Sequence, residues 1–264
     1  MLPDVLERLL GRSLYFRFGI YAGKLSGPLS AFPRQAALSL AMHYVQMSRL
    51  EGDYLEFGVW QGKTFAAACY LARKRKLPMN FYAFDSFAGL PENQEKDASG
   101  HQMYKGGTFN CSESEFLKNV RRTGADTQRV ITVPGWFEES LQPDNQKLAN
   151  LRKAAVVWVD CDLYSSTVSV LNFLTKYLQY GTVVFFDDWL AHRADPNAGE
   201  QRAFREWLAA KPHLSAVEFL RFGWCGCSFV IHDQAGVRGV PAHDPESGPI
   251  LSSRSRNHED SPTR

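Results

Sequence analysis

The chain has 264 residues, 44% of them hydrophobic, and sets 30 basic side chains against 28 acidic ones for a formal charge of +2. This length and apolar content suffice for one large α/β core. Near-neutral charge offers no basic surface for nucleic acid or an anionic membrane, and no apolar run approaches the roughly 20 residues of a membrane-spanning helix.

Residues 1–50 read as an amphipathic helical cap, interrupted at Gly27-Pro28 and at Phe32-Pro33. Leu9-Leu10 is too short for the apolar core of a secretory signal, and Arg12 and Arg17 follow it, so no export is expected. Ala37, Leu38, Ala41, Val45 and Leu50 recur at near-helical spacing. They predict a helix over residues 34–50 that packs on a sheet or covers a cofactor.

From residue 51 to 233 an alternation of strands and helices describes one domain. A strand at 54–57 precedes a helix over 64–75, whose closing run Arg73-Lys74-Arg75-Lys76 offsets the helix dipole and needs no binding role. A second strand at 81–84 leads into a polar loop over 86–110. Ser112 and Glu115 make a capping-box pattern for a helix ending at Arg122. Strands at 130–133 and 155–159 follow, then a helix over 166–178, a strand at 182–186 and a helix over 200–210. Residues 217–220 and 228–231 would close the domain as an antiparallel hairpin. From Gln234 to the end, Gly, Pro, Ser, Arg and acids dominate, the composition of a disordered tail. Five cysteines, an odd number without metal-binding spacing, imply reduced thiols in a cytoplasmic compartment. Cys225-Gly226-Cys227 reads as structural.

The apolar runs share an ending. Tyr54-Leu55 leads to Glu56, Ala83-Phe84 to Asp85, Trp158-Val159 to Asp160, and Phe185-Phe186 to Asp187-Asp188. Runs rich in Val, Phe and Tyr are buried strands of a parallel sheet, and ligands of such sheets bind beyond the strands' carboxyl ends. A buried carboxylate is costly alone, so repeated acids there call for a cation or for hydrogen-bond donors such as ribose hydroxyls.

After the first strand, Glu56-Phe57-Gly58-Val59-Trp60-Gln61-Gly62-Lys63-Thr64 forms a glycine loop that opens a helix. Its glycines permit a tight turn, and the helix start offers free amides to an anion. A phosphate loop would end in Gly62-Lys63-Thr64, but three residues separate the glycines here where that motif has four. The dinucleotide spacing is also lacking. An acid-x-Gly-x-x-x-Gly loop matches the cofactor loop of class I methyltransferases, and a plain strand-to-helix turn is the bland reading. Asp85 sits where an acid accepts bonds from ribose hydroxyls, although an Asx turn would also favour it. Asp160 and Asp187-Asp188 end neighbouring strands and suit a hard divalent cation such as magnesium. Asp162 would orient that site or cap the next helix.

Five segments occur in order: 54–64, Phe84-Asp85-Ser86-Phe87-Ala88-Gly89-Leu90-Pro91, Gly135-Trp136-Phe137, Asp160-Cys161-Asp162-Leu163-Tyr164-Ser165-Ser166-Thr167 and Asp187-Asp188-Trp189. Together they resemble the macrocin O-methyltransferase family over roughly residues 35–232. The resemblance implies a Rossmann-like class I methyltransferase fold, a mostly parallel twisted sheet with helices on both faces and the closing hairpin. It implies that Glu56, Phe57, Gly58, Gly62 and Thr64 surround the methionine part of S-adenosylmethionine. Asp85 would hold the ribose with Ser86 nearby, Trp136 would lie by the adenine, and Asp160, Asp187 and Asp188 would bind magnesium or another divalent cation. Lys63-Thr64 and Trp189 depart from many relatives.

The implied chemistry is methyl transfer to a hydroxyl of a small molecule, with a sugar of a natural product as one such acceptor. Asp160 is the first candidate base and His192 the second, with His43 and His101 weaker. The loops 92–108 and 191–198 would act as lids that choose the acceptor. The alternatives are a phosphate-loop hydrolase or kinase and a non-catalytic cofactor-binding module. Nucleic acid and membrane are not expected partners, and a homo-oligomer is left open.

Overall fold

A computed structural model of the chain describes residues 34–92 and 105–234. The cap before residue 34, His101 in the long loop and the tail beyond Gln234 lie outside the described residues. The elements run α1 (Arg34–Met47), β1 (Asp53–Phe57), α2 (Lys63–Arg75), β2 (Phe81–Asp85), α3 (Glu113–Arg122), β3 (Val130–Pro134) and α4 (Phe137–Ser140). They continue with β4 (Ala154–Val159), α5 (Tyr164–Leu174), β5 (Thr182–Phe186), α6 (Gly199–Ala209), β6 (Leu214–Phe222) and β7 (Gly226–Asp233).

The strands form one seven-stranded sheet in the order β3-β2-β1-β4-β5-β7-β6. Strands β1 to β5 are parallel, and β7 runs antiparallel to both β5 and β6. Every residue of β1, β4 and β5 is buried, because helices cover both faces of the sheet. On one face Tyr54, Trp158 and Phe185 pack with Leu38, Met42 and Phe65 of α1 and α2. On the other, Leu55, Phe57, Val157 and Phe186 pack with Leu171, Phe204 and Trp207 of α5 and α6. Ring stacking of Phe57 on Phe84 at 4.4 Å and of Trp158 on Phe185 at 4.7 Å fastens neighbouring strands.

The start of β1 carries a buried acid that the sequence pattern does not single out. Asp53 accepts the Asn80 and Arg152 amides, each at 3.0 Å, and the Arg152 guanidinium at 2.6 Å. It joins three chain segments at the edge of the sheet opposite the strand-end acids. Hydrogen bonds to a charged group contribute about 1.5–3 kcal/mol each, so this is a structural anchor.

Several boundaries differ from the sequence pattern; α1 ends at Met47, short of residue 50. Helix α5 begins at Tyr164 and ends at Leu174, where residues 166–178 were expected. Asp162 adopts a left-handed φ of 62° and sends the chain directly into the helix, with Leu163 as N-cap and no side-chain cap. The Asp162 capping role is therefore not realised. At the other end the Tyr177 carbonyl turns away to accept the Ala154 amide at 2.8 Å. The hairpin is longer than expected and carries a bulge between Glu218 and Leu220. Elsewhere local signals act as read: Ser112 caps α3 by accepting the Glu115 amide at 3.3 Å.

β2 lies on one side of β1 and β4 on the other, so a crevice opens beyond their carboxyl ends. Gly58 follows β1 directly with φ +81°, and a Cβ there would stand 1.8 Å from the Asp160 carbonyl oxygen. No side chain fits. Gly58→Ala is expected to cost about 3 kcal/mol or more, read as a lowered midpoint in thermal or denaturant unfolding; an unchanged midpoint would contradict this packing.

Candidate active site at the carboxyl edge of the sheet

Four adjacent strands deliver acids to one edge: Asp85 from β2, Glu56 from β1, Asp160 after β4, and Asp187-Asp188 after β5. All of them line a single cavity of about 320 Å³, together with Gly58, Thr64, Ser86 and Trp136. Asp85 organises the glycine loop. Its Oδ2 accepts the amides of Val59 at 2.8 Å and Trp60 at 3.1 Å, and its Oδ1 accepts that of Phe87 at 2.7 Å. The last bond is an Asx turn, the alternative reading of Asp85. A carboxylate has further lone pairs, so donors from a ligand can still be accepted.

Ser86 stiffens the same turn, donating to the Gly89 carbonyl at 2.8 Å and accepting the Ala88 amide at 3.1 Å. Trp136, half-buried before α4, faces the cavity instead of the core. Two of the expected loop residues, Phe57 and Gly62, do not line the cavity; Gly62 turns toward Phe116 and Val120 of α3. The Phe57 side chain is fully buried against Phe84 and away from the cavity, because strand alternation turns it to the α5 face. Only the Phe57 carbonyl reaches the edge, accepting the Asp160 amide at 2.9 Å.

Asp160, Asp187 and Asp188 each offer one oxygen, and these lie within 4.8 Å of one another. Three hard oxygen donors so close suit a magnesium-like cation, and the donor set fits. Arg34, the first residue of α1, also reaches this cluster. Its Nε donates to Asp187 Oδ1 at 2.6 Å and its Nη2 to Oδ2. Asp162 shares a side-chain hydrogen bond with Asp188. His192 is outside the cavity lining. Its ring lies over Gly199, where a Cβ would come within 2.3 Å of it, and its Nε2 is 3.4 Å from the Asp162 carbonyl oxygen.

A family model described as Macrocin-O-methyltransferase (TylF) matches residues 31–219. The chain belongs to the macrocin O-methyltransferase family. It is 29% identical over 152 residues to a demethyldecarbamoylnovobiocin O-methyltransferase of Streptomyces niveus, covering 54% of this chain and 55% of that one. It is 27% identical over 192 residues to a rhamnosyl-tetracenomycin-C 4'-O-methyltransferase of Streptomyces olivaceus, covering 71% and 69%. The chain thus spans about half the length of the first of these relatives and 69% of the second. Among solved structures, the O-methyltransferase NovP superposes with a TM-score of 0.64 at 23% identity, covering 75% of this chain and 78% of that one. The calicheamicin methyltransferase CalS11 does so with a TM-score of 0.61 at 22% identity, covering 74% and 77%. The fold is that of the class I O-methyltransferases.

Within this macrocin O-methyltransferase fold the acids are held under electrostatic stress. Burial, and then Asp187, Asp188 and Asp162, raise the Asp160 carboxyl well above the ordinary carboxylate range, against the pull of Arg34. Burial likewise raises Glu56, opposed by a hydrogen bond from the Tyr54 hydroxyl. Burial followed by the Asp188 and Asp187 charges raises Glu200, which lies fully buried in the first turn of α6. The Arg34 guanidinium is held charged by its bond to Asp187. Sequence reading missed Arg34 and Glu200 here, since neither sits in a recognisable motif.

These shifts fix a direction for stability. Glu56, Glu200 and Asp160 bind protons more tightly folded than unfolded, where their ordinary values are 4.5, 4.5 and 3.8. Above those values the folded state therefore holds the extra protons, and their release at higher pH destabilises it. The melting temperature of the protein in chelator is expected to fall from pH 5.5 to pH 8. A rise over that interval would show that these carboxyls are not strained.

Proposed function

We propose that this member of the macrocin O-methyltransferase family transfers the methyl group of S-adenosylmethionine to a hydroxyl of a small-molecule or sugar acceptor, assisted by magnesium or another divalent cation. The observation that carries the reading is the single cavity joining the glycine loop and Asp85 to the cluster of three aspartates. One ligand site without the other would suit a binding module. Side by side, they set a methyl donor beside a place for an ionisable hydroxyl.

The residues take these roles. Glu56 and Thr64 face the amino-acid end of the cofactor, Asp85 the ribose and Trp136 the adenine. Gly58 and Gly62 let the loop pack closely, the first on the Asp160 carbonyl and the second on Phe116. Asp160, Asp187 and Asp188 would hold the cation. When bound, the cofactor supplies an electrophilic methyl and the cation supplies Lewis acidity toward the acceptor hydroxyl. Fixing the reactants in line contributes up to about 7–11 kcal/mol in favourable cases. Asp160, on the cavity wall with raised proton affinity, is the preferred proton acceptor. His192 is less suited, because its ring packs on Gly199 away from the cavity lining.

The acceptor side has aromatic walls. Trp60 and Trp224, 42% and 65% exposed, both line the cavity. Exposed tryptophans at a cavity mouth suit ring-shaped ligands with an apolar face. A sugar fits that description, and the tetracenomycin relative is named for a rhamnosyl hydroxyl.

Two experiments test the reading. In calorimetric titration, S-adenosylhomocysteine is expected to bind, and Asp85→Ala to weaken it at least about tenfold, or ~1.4 kcal/mol. Binding of magnesium-ATP in its place would overturn the cofactor assignment. In a mass-spectrometric assay with a panel of deoxysugar-bearing natural products, Asp187→Ala is expected to abolish methyl transfer while S-adenosylhomocysteine still binds. Full turnover of that variant in chelator would remove the cation from the mechanism.

A further inference from the structure

The turn that presents Asp187 and Asp188 is pinned along its length. The Asp187 amide donates to the Val159 carbonyl at 2.9 Å, and the Asp187 carbonyl accepts the Cys225 thiol at 3.0 Å. The Leu190 amide donates to the Cys225 carbonyl, and the Ala191 amide to the Asp188 carbonyl, each at 3.0 Å. Two further polar groups of the turn are taken by successive residues of α6. Glu200 Oε2 accepts the Asp188 amide at 2.9 Å, and Gln201 Nε2 donates to the Trp189 carbonyl at 2.6 Å.

Glu200 is the unexpected member of this set. It is fully buried, does not line the cavity, and its Oε1 has no hydrogen-bond partner. A carboxyl placed behind Asp162, Asp187 and Asp188 is opposed by burial and by their charge. An acid in a first helical turn usually complements the helix dipole from the surface; this one is inside. What it gains there is a buried hydrogen bond from the Asp188 amide.

We propose that Glu200 is a positioning residue that fixes the Asp187-Asp188 pair through the Asp188 amide, with Gln201 securing the next carbonyl. The pair follows β5 in an unregular turn, so its side-chain directions depend on these backbone bonds. Glu200 acts through the amide, not by touching a ligand. The inference rests on the reading that Asp187 and Asp188 hold a divalent cation.

The test is manganese binding, followed by electron paramagnetic resonance, in the full chain and in Glu200→Met and Glu200→Gln. Gln keeps an oxygen for the Asp188 amide; Met keeps the volume but accepts nothing. Glu200→Met is expected to bind manganese at least tenfold more weakly, and Glu200→Gln within about twofold of wild type, with S-adenosylhomocysteine affinity unchanged in both. Should Glu200→Met fail to fold, Gln201→Ala, altered at a half-buried position, is expected to weaken manganese in the same direction. Equal weakening by Gln and Met would show that the charge matters and overturn positioning. Unaltered binding in Glu200→Met, or in Gln201→Ala where it stands in, overturns the inference alone. A wild-type protein that binds no manganese overturns the cation reading and this inference with it.

Discussion

The site depends on a contact that only a residue without a side chain allows. Where β1 ends, the Gly58 backbone lies against the Asp160 carbonyl, closer than any Cβ could approach. The Gly58 amide donates to Phe84 at 2.8 Å, and the Asp160 amide to Phe57 at 2.9 Å. The parallel ladder thus runs unbroken to the edge, and three strands end flush. Because β1 and β4 meet there, the glycine loop from one and the acid from the other share a wall. With a wider gap, the glycine loop and the three aspartates would belong to separate pockets.

Charge is the second constraint. The edge gathers Glu56, Asp85, Asp160, Asp162, Asp187, Asp188 and, behind them, Glu200, with Arg34 as a cation in direct contact. The fold tolerates them in three ways. Asp85 is satisfied by backbone amides of the loop it organises. Glu56 takes the Tyr54 hydroxyl, two residues away on the same face of β1. Asp160, Asp162 and Glu200, like Glu56 itself, have raised proton affinity. A stable core around acids in this condition is the pattern expected where selection has acted on a site more than on stability.

Much of this architecture was legible in the sequence because its strands are buried on both faces, which leaves continuous apolar runs that end where the pleat meets solvent. The glycine loop, the acids after β2, β4 and β5, and the closing hairpin follow from those runs. What escaped is what depends on distant partners. The bond from Val59 to Asp85 crosses 26 residues, and that from Arg34 to Asp187 crosses 153. No local periodicity encodes either. The start of α5 was misplaced because the left-handed Asp162 replaces a conventional cap. Phe57, expected beside the cofactor with its loop neighbours, obeys the alternation of β1 instead and turns into the core.

The Arg34 contact has a further consequence for how the domain is wired. Helix α1 precedes the sheet in sequence and packs on it through Ala37, Leu38, Ala41 and Met42, yet its first side chain ends at the carboxylate beyond β5. Both Asp187 oxygens are engaged by that guanidinium. Through it the first turn of α1 is tied to the end of β5, and its charge opposes the mutual repulsion of Asp160, Asp187 and Asp188. The seating of α1 and the ionisation of the acids at the sheet edge are thereby coupled.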